Sequence, residues 1–201
     1  MINKSKFATL PAPVNMQSRL PEIAHALFNH IGEDPEREGL KRTPERFAKA
    51  LLELTKGYHL TAPEVIGEGI FESESSGPVS VNDIEFFSLC EHHILPFWGK
   101  VSIAYLPGEK ILGLSKLARV VDVFAKRLQV QERLTAEVGE CLKEAIDPRA
   151  VLVSVEAQHM CMMMRGVGKV GSQTKTEFFW KKGDVDDLEI SRLFAQISNN
   201  R

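Results

Sequence analysis

The 201-residue chain has few cysteines, almost no net charge and no long apolar run, and each shortage closes off a class of protein. Its three cysteines are odd in number and show no disulfide-framework spacing, so the thiols are expected to stay free in a reducing compartment, the cytoplasm. With 25 basic against 27 acidic residues the formal charge is −2, which argues against broad nucleic-acid binding; any polyanionic ligand must be met by a local cluster of cations. No stretch approaches the length that spans a bilayer, and Met1–Pro11 lacks the continuous apolar core of a secretory signal, so no membrane association and no targeting are expected. Internal repeats and low-complexity tracts are also missing. What remains, 43% apolar and 26% charged, is the composition of an ordinary globular chain with one substantial core and a helical extension.

Against that plain background, Cys90-Glu91-His92-His93 and His159-Met160-Cys161 stand out. A Cys-x-x-His step lets Cys90 and His93 reach one ion from a single turn of chain, and thiolate with imidazole is a donor set that zinc takes. The β-branched start of Val151–Arg165 predicts a strand, in which His159, Cys161 and Arg165 share a face. Cys90, His93 and Cys161 as three protein ligands would leave a fourth position open, the arrangement of catalytic rather than structural zinc. The plainer alternative is that the cysteines are small buried apolar side chains.

Periodicity predicts the elements around these motifs. Ile23, Ala24, Leu27, Phe28 and Ile31 mark a helix from Pro21 to a stop at Gly32. Thr43-Pro44 reads as N-cap and first-turn proline of a second helix, whose apolar stripe runs through Leu54 to Gly57. Glu64–Pro78 reads as an exposed connection, followed by strands over Val79–Cys90 and Lys100–Leu106 with a turn at Pro107–Lys110. Two more helices follow, one from Leu114 through Ala125 and one from Leu134 to a stop at Asp147-Pro148, with Cys141 on the apolar stripe of the latter. Residues 150–165 and 173–180 form a second strand pair, and a closing helix over Asp184–Ser198 uses Leu188, Leu193, Phe194 and Ile197. Phe178, Phe179 and Trp180 are core or interface aromatics. Residues 1–18, with Pro11 and Pro13, read as a flexible arm. Helices segregated to one side of an antiparallel sheet make an α+β domain.

Four stretches in order, Ser88–His93, Gly113–Arg119, Gln129–Thr135 and His159–Val167, closely resemble the signature segments of GTP cyclohydrolase I. Gly32–Arg46 resembles that family's N-terminal helical region, so the likeness runs from about residue 20 to about residue 176. The run Glu177–Lys182 departs from the small-residue and glycine pattern of the family. The resemblance implies the tunnelling fold, in which subunits join antiparallel sheets into a barrel, with 19–78 as the helical region and connection and 79–201 as the zinc-dependent domain. It also implies a homodecamer of two stacked rings, with active sites shared between subunits.

The implied reaction opens the imidazole ring of GTP, removes C8 as formate and rebuilds a larger ring from ribose carbons to give 7,8-dihydroneopterin triphosphate. Zinc on Cys90, His93 and Cys161 would lower the pKa of water to roughly 7. His92 and His159 are the candidates for delivering protons to nitrogen, with their individual steps left open. Guanine presents N1–H and a 2-amino group side by side, two donors that a carboxylate accepts together; Glu132, beside Gln131, is the candidate reader. Lys116 and Arg119, one helical turn apart, and Arg165 are the candidate triphosphate cations, and Ser115 resembles the family serine near the ribose. Two alternatives compete: a zinc hydrolase that stops at a ring-opened intermediate, and a non-catalytic GTP-binding ring protein with structural zinc.

Overall fold

A computed structural model describes residues 19–183 and 185–198. The arm expected over residues 1–18 lies outside the described residues, as does Asp184. Helices α1 (Leu20–Ile31) and α2 (Thr43–Leu54) form an N-terminal hairpin. The apolar residues of α1 divide into two stripes: Leu20, Ala24 and Phe28 are buried, while Ile23, Leu27 and Ile31 are exposed. Gly32 ends α1 in the left-handed region at φ 77°, where a residue without Cβ is favoured. Thr43 is not an N-cap: Arg42 flanks the helix, and the Thr43 hydroxyl reaches back to the Gly39 carbonyl at 3.4 Å.

A 3₁₀ turn at Lys56–His59 leads into α3 (Ala62–Ile66) and β1 (Ile70–Glu72), so the stretch expected as exposed connection contains ordered elements. The Thr61 side chain accepts from the Glu64 amide while the Glu64 carboxylate accepts from the Thr61 amide, a reciprocal cap that starts α3. Ala62 and Ile66 enter the main core. Strands β2 (Val79–Cys90) and β3 (Pro96–Leu106) follow, then β4 (Lys110–Leu112) pairs with β1 in a small separate sheet. Strand β3 begins four residues before the expected Lys100 because the Cys90–Leu95 turn is tight.

Helix α4 (Leu114–Ala125), the short β5 (Leu128–Gln129), α5 (Gln131–Ile146), β6 (Ala150–His159), the single turn α6 (Met160–Met163), β7 (Thr174–Lys181) and α7 (Asp187–Ser198) complete the chain. The main sheet has the order β5-β2-β3-β6-β7, antiparallel except for the β5–β2 pair. Alternation along the strands creates two apolar faces. Val101, Ile103, Tyr105, Val151, Val153 and Val155 turn toward α4 and α5 and form the main core. Ala104, Leu106, Ala150 and Leu152 turn the other way, under Leu193 of α7. Helices are therefore not confined to one side, as the sequence suggested: the pair α4/α5 covers one face and the closing helix part of the other.

In that closing helix Leu193 is fully buried and Phe194 and Ile197 pack beside it, whereas Leu188 is exposed. The bidentate Arg149–Glu189 pair, 2.7 Å on both branches, fixes α7 to the head of β6. Phe178 and Trp180 pack on the main core, while Phe179, still exposed, packs against Phe194 at 5.3 Å.

Candidate metal and catalytic site

Everything that places the candidate ligands happens at one end of the sheet. Strand β2 finishes at Cys90, and the turn that follows folds back so tightly that the Cys90 carbonyl accepts from both the His93 and the Ile94 amides, at 3.4 and 2.8 Å. Ile94 closes the turn at φ 55°, a left-handed conformation that is costly for a β-branched residue, by about 1–3 kcal/mol. The result is that Cys90 and His93 present their side chains to the same space.

From the other side, β6 ends at His159 and the chain turns helical over Met160–Met163. The expectation of a strand continuing to Arg165 is wrong, and with it the strand-alternation argument for a common face of His159, Cys161 and Arg165. Cys161 instead arrives on a helical turn. Its sulfur, the Cys90 sulfur and a His93 ring nitrogen nevertheless lie within 4.8 Å of one another.

That donor set fits a soft or borderline divalent ion. Tetrahedral bonds of about 2.3 Å to sulfur separate two ligating sulfurs by roughly 3.8 Å, so only a small closure is needed. Burial, and then the neighbouring Cys90 thiol, push the Cys161 thiol up; a cation between the two sulfurs would remove that penalty.

The spare imidazoles flank this cluster differently. His92 Nδ1 lies 3.6 Å from the Cys90 sulfur. His159 stacks on the buried Phe97 ring, with centroids 4.7 Å apart and planes 2° from parallel, and its Nε2 lies 2.8 Å from Gln131 Oε1. Burial pushes the His159 pKa down, opposed by the charge of Glu132. Glu132 itself is exposed at the start of α5, within electrostatic reach of that imidazole. Arg165 Nη1 reaches His93 Nε2 at 3.1 Å, which brings it to the edge of the cluster.

Other sequence candidates are placed less simply. The Gln131 side chain is buried, and its Nε2 bonds to Val155 O, Thr174 O and Thr176 Oγ1 at 3.0, 3.0 and 3.2 Å. Ser115 and Lys116 lie at the start of α4, away from the cluster, and Arg119 in its middle. The far end of α4 is the end that leads into β5, where Leu128 and Gln129 pair with Leu89 and Cys90. Ser115 is ten residues before that end, about 15 Å along the helix axis. Lys116 instead donates to Val65 O at 3.0 Å, and its stem lies against Gly69.

Arg133 forms a bidentate pair with Glu91, at 2.7 and 2.9 Å, joining the ligand-bearing turn to the helix that carries Gln131 and Glu132. The Arg133 guanidinium holds the Glu91 carboxyl below its usual range. Both residues stand inside the recognised motifs, yet nothing in their spacing announces a contact across 42 positions.

The family model of GTP cyclohydrolase I matches residues 21–197, nearly the whole described chain. The chain belongs to the GTP cyclohydrolase I family. Among its relatives, the GTP cyclohydrolase 1 of Bacteroides fragilis is 59% identical over 176 residues, covering 88% of this chain and 90% of the relative. That of Deinococcus radiodurans is 51% identical over 167 residues, covering 83% and 77%. The Dictyostelium discoideum protein of the same name is 49% identical over 175 residues, covering 87% and 75%. Membership of the GTP cyclohydrolase I family carries the tunnelling-fold assignment with it, and the α+β unit described above has the matching mix of antiparallel sheet and paired helices. No helix among the described residues is long and apolar enough to cross a membrane.

Proposed function

We propose that this chain hydrolyses and rearranges GTP to 7,8-dihydroneopterin triphosphate and formate, the reaction of its family and the entry step to pterin and folate synthesis. The observation that carries the reading is the meeting of Cys90, His93 and Cys161 beside two non-ligating histidines; a structural staple would need neither His92 nor His159. Zinc is the ion we assign to the three donors, where it would supply a Lewis acid that makes water nucleophilic near neutral pH.

The chain's own residues divide the remaining work. His92 and His159 move protons to and from the ring nitrogens as the C8 bonds break. Glu132, exposed beside His159, accepts from guanine N1–H and the 2-amino group, while Arg165 meets a phosphate at the cluster's edge. Lys116 and Arg119 hold the rest of the triphosphate and Ser115 meets the ribose. Because Ser115 and Lys116 sit near the start of α4, the end away from the cluster in their own chain, the three serve the site of a neighbouring copy, within the decamer of two stacked rings. The cytoplasm is the assigned location, in keeping with three free thiols.

Incubation of metal-quantified protein with GTP is expected to yield formate and the pterin triphosphate together, read by mass. Formate alone would favour a hydrolase that stops at a ring-opened intermediate, and neither product from a zinc-loaded assembly would favour the non-catalytic reading. Shared sites make a second prediction. Lys116→Ala and His159→Asn chains, each inactive alone, are expected to regain up to about a quarter of wild-type turnover when unfolded together and refolded, because random pairing rebuilds that share of intact sites. No recovery in a mixed assembly of native size would place all the residues in one chain.

A further inference from the structure

The hydrogen-bond directions around Gln131 can be worked out from groups that only accept. Thr135 Oγ1 lies 2.7 Å from Gln131 O, a carbonyl, so the threonine spends its single proton there. At the 2.6 Å contact between Thr135 Oγ1 and Thr176 Oγ1, the donor is therefore Thr176. Thr176 is left with lone pairs only toward Gln131. All three neighbours on that side of the carboxamide, Val155 O, Thr174 O and Thr176 Oγ1, are then acceptors, and only the amide nitrogen can face them. The carboxamide cannot be flipped without setting its oxygen against two carbonyls. Gln131 Oε1 must point at His159, and the nitrogen it meets at 2.8 Å, Nε2, must carry the proton.

We infer that Gln131, backed by Thr135 and Thr176, is a positioning residue that holds a proton on Nε2 of His159, so that whenever the ring is neutral it is the Nε2–H tautomer and Nδ1 carries the lone pair. The residue adjoining the guanine reader is thus not itself a reader. Its side chain is buried, every polar atom of it is engaged inside the protein, and it joins the start of α5 to β6 and β7. The Phe97 ring stacked on the imidazole fixes the plane in which the tautomer is presented. A histidine whose two nitrogens are chemically distinct from the outset exchanges protons with substrate at one defined atom, which a freely interconverting ring does not. The catalytic part of this inference rests on the assignment of His159 above; the tautomer does not.

The test is magic-angle-spinning NMR of the zinc-loaded assembly labelled with ¹⁵N-histidine, the His159 signals being identified by their loss in His159→Asn. At a pH where the ring is neutral, the spectrum is expected to show a protonated Nε2 and a bare Nδ1. A protonated Nδ1 with bare Nε2, or a mixture of the two forms, overturns the inference whether or not any Gln131 variant folds. In Gln131→Leu the preference is expected to disappear, and kcat to fall at least about 100-fold with KM changed less than about threefold, the scale of one general acid–base group. Gln131→Glu, whose carboxylic acid can donate toward the carbonyls and accept from His159, is expected to restore the tautomer and a large part of kcat. A Gln131→Leu enzyme with raised KM, intact kcat and unchanged His159 signals would make Gln131 a base reader instead. Absence of GTP turnover in the wild type would remove the functional assignment while the spectrum still decided the tautomer.

Discussion

Cys161→Ala is expected to abolish stoichiometric metal and to lower GTP turnover by on the order of a thousandfold or more, with the fold intact. The cluster has three donors, and a site reduced to Cys90 and His93 keeps one thiolate and one imidazole, too few to hold zinc through gel filtration. The cost to stability is small because Cys161 is partly exposed on a single helical turn after β6. Cys141→Ala is the control: that side chain is fully buried among the core residues of α5, and its truncation should cost about 1–2 kcal/mol while leaving metal and turnover in place. Metal analysis of the gel-filtered variants, with kcat on the same samples, decides the matter. One metal per chain in Cys161→Ala, with turnover within about tenfold of wild type, would mean that the three residues are neighbours without being ligands.

The second large effect is expected from Gly99→Val. Gly99 is the fourth residue of β3, opposite Phe86 on one side and Ala157 on the other. A Cβ at this position would fall on the Glu156 carbonyl oxygen and crowd the Cα of Ala157 at 2.7 Å, so a side chain can be admitted only if the strands part. The obstacle is the backbone of the central ladder, which cannot rotate aside as a side chain would, and the expected cost is about 3 kcal/mol. For a chain of this size that lowers the unfolding midpoint by roughly 6–12 °C at fixed protein concentration. Phe97 is two residues away and supports His159, so turnover should fall beyond what the unfolded fraction explains. A midpoint within about 1 °C of wild type would show that β3 and β6 can slide past each other at little cost.

How much of this was legible in the sequence differs from residue to residue. Period-2 and helical patterning placed β2 and α4, and the apolar stripe correctly put Cys141 in the core. The donors Cys90, His93 and Cys161 were legible by chemical type, because few other residues hold zinc. The path by which Cys161 reaches them was not: a β-branched run says where a strand starts, and Met160–Met163 carries no signal that the strand has ended. Ordered α3 and β1 were hidden by the serine, glycine and acid content of Glu64–Pro78, since Ala62 and Ile66 are buried by partners far away in sequence. The buried contacts of Gln131 were hidden for a related reason. A polar residue at a helix start is usually solvated, and only the tertiary meeting of α5 with β6 and β7 surrounds this one with acceptors. The Glu91–Arg133 pair and the remoteness of Ser115 from Cys90 are likewise products of topology, which no local pattern encodes.

The sealing of Cys141 has a practical corollary. Burial pushes its thiol up to about 12, so neither solvent access nor ionisation offers a thiol reagent any purchase on it while the chain is folded. Of the three cysteines, Cys161 is partly exposed and Cys90, though buried, keeps 6% of its surface, and both belong to the cluster. Colorimetric thiol counting on native protein becomes a direct gauge of vacancy at that cluster, free of background from the core. It needs no substrate and no catalysis, and the denatured chain, with all three thiols in play, supplies its own calibration.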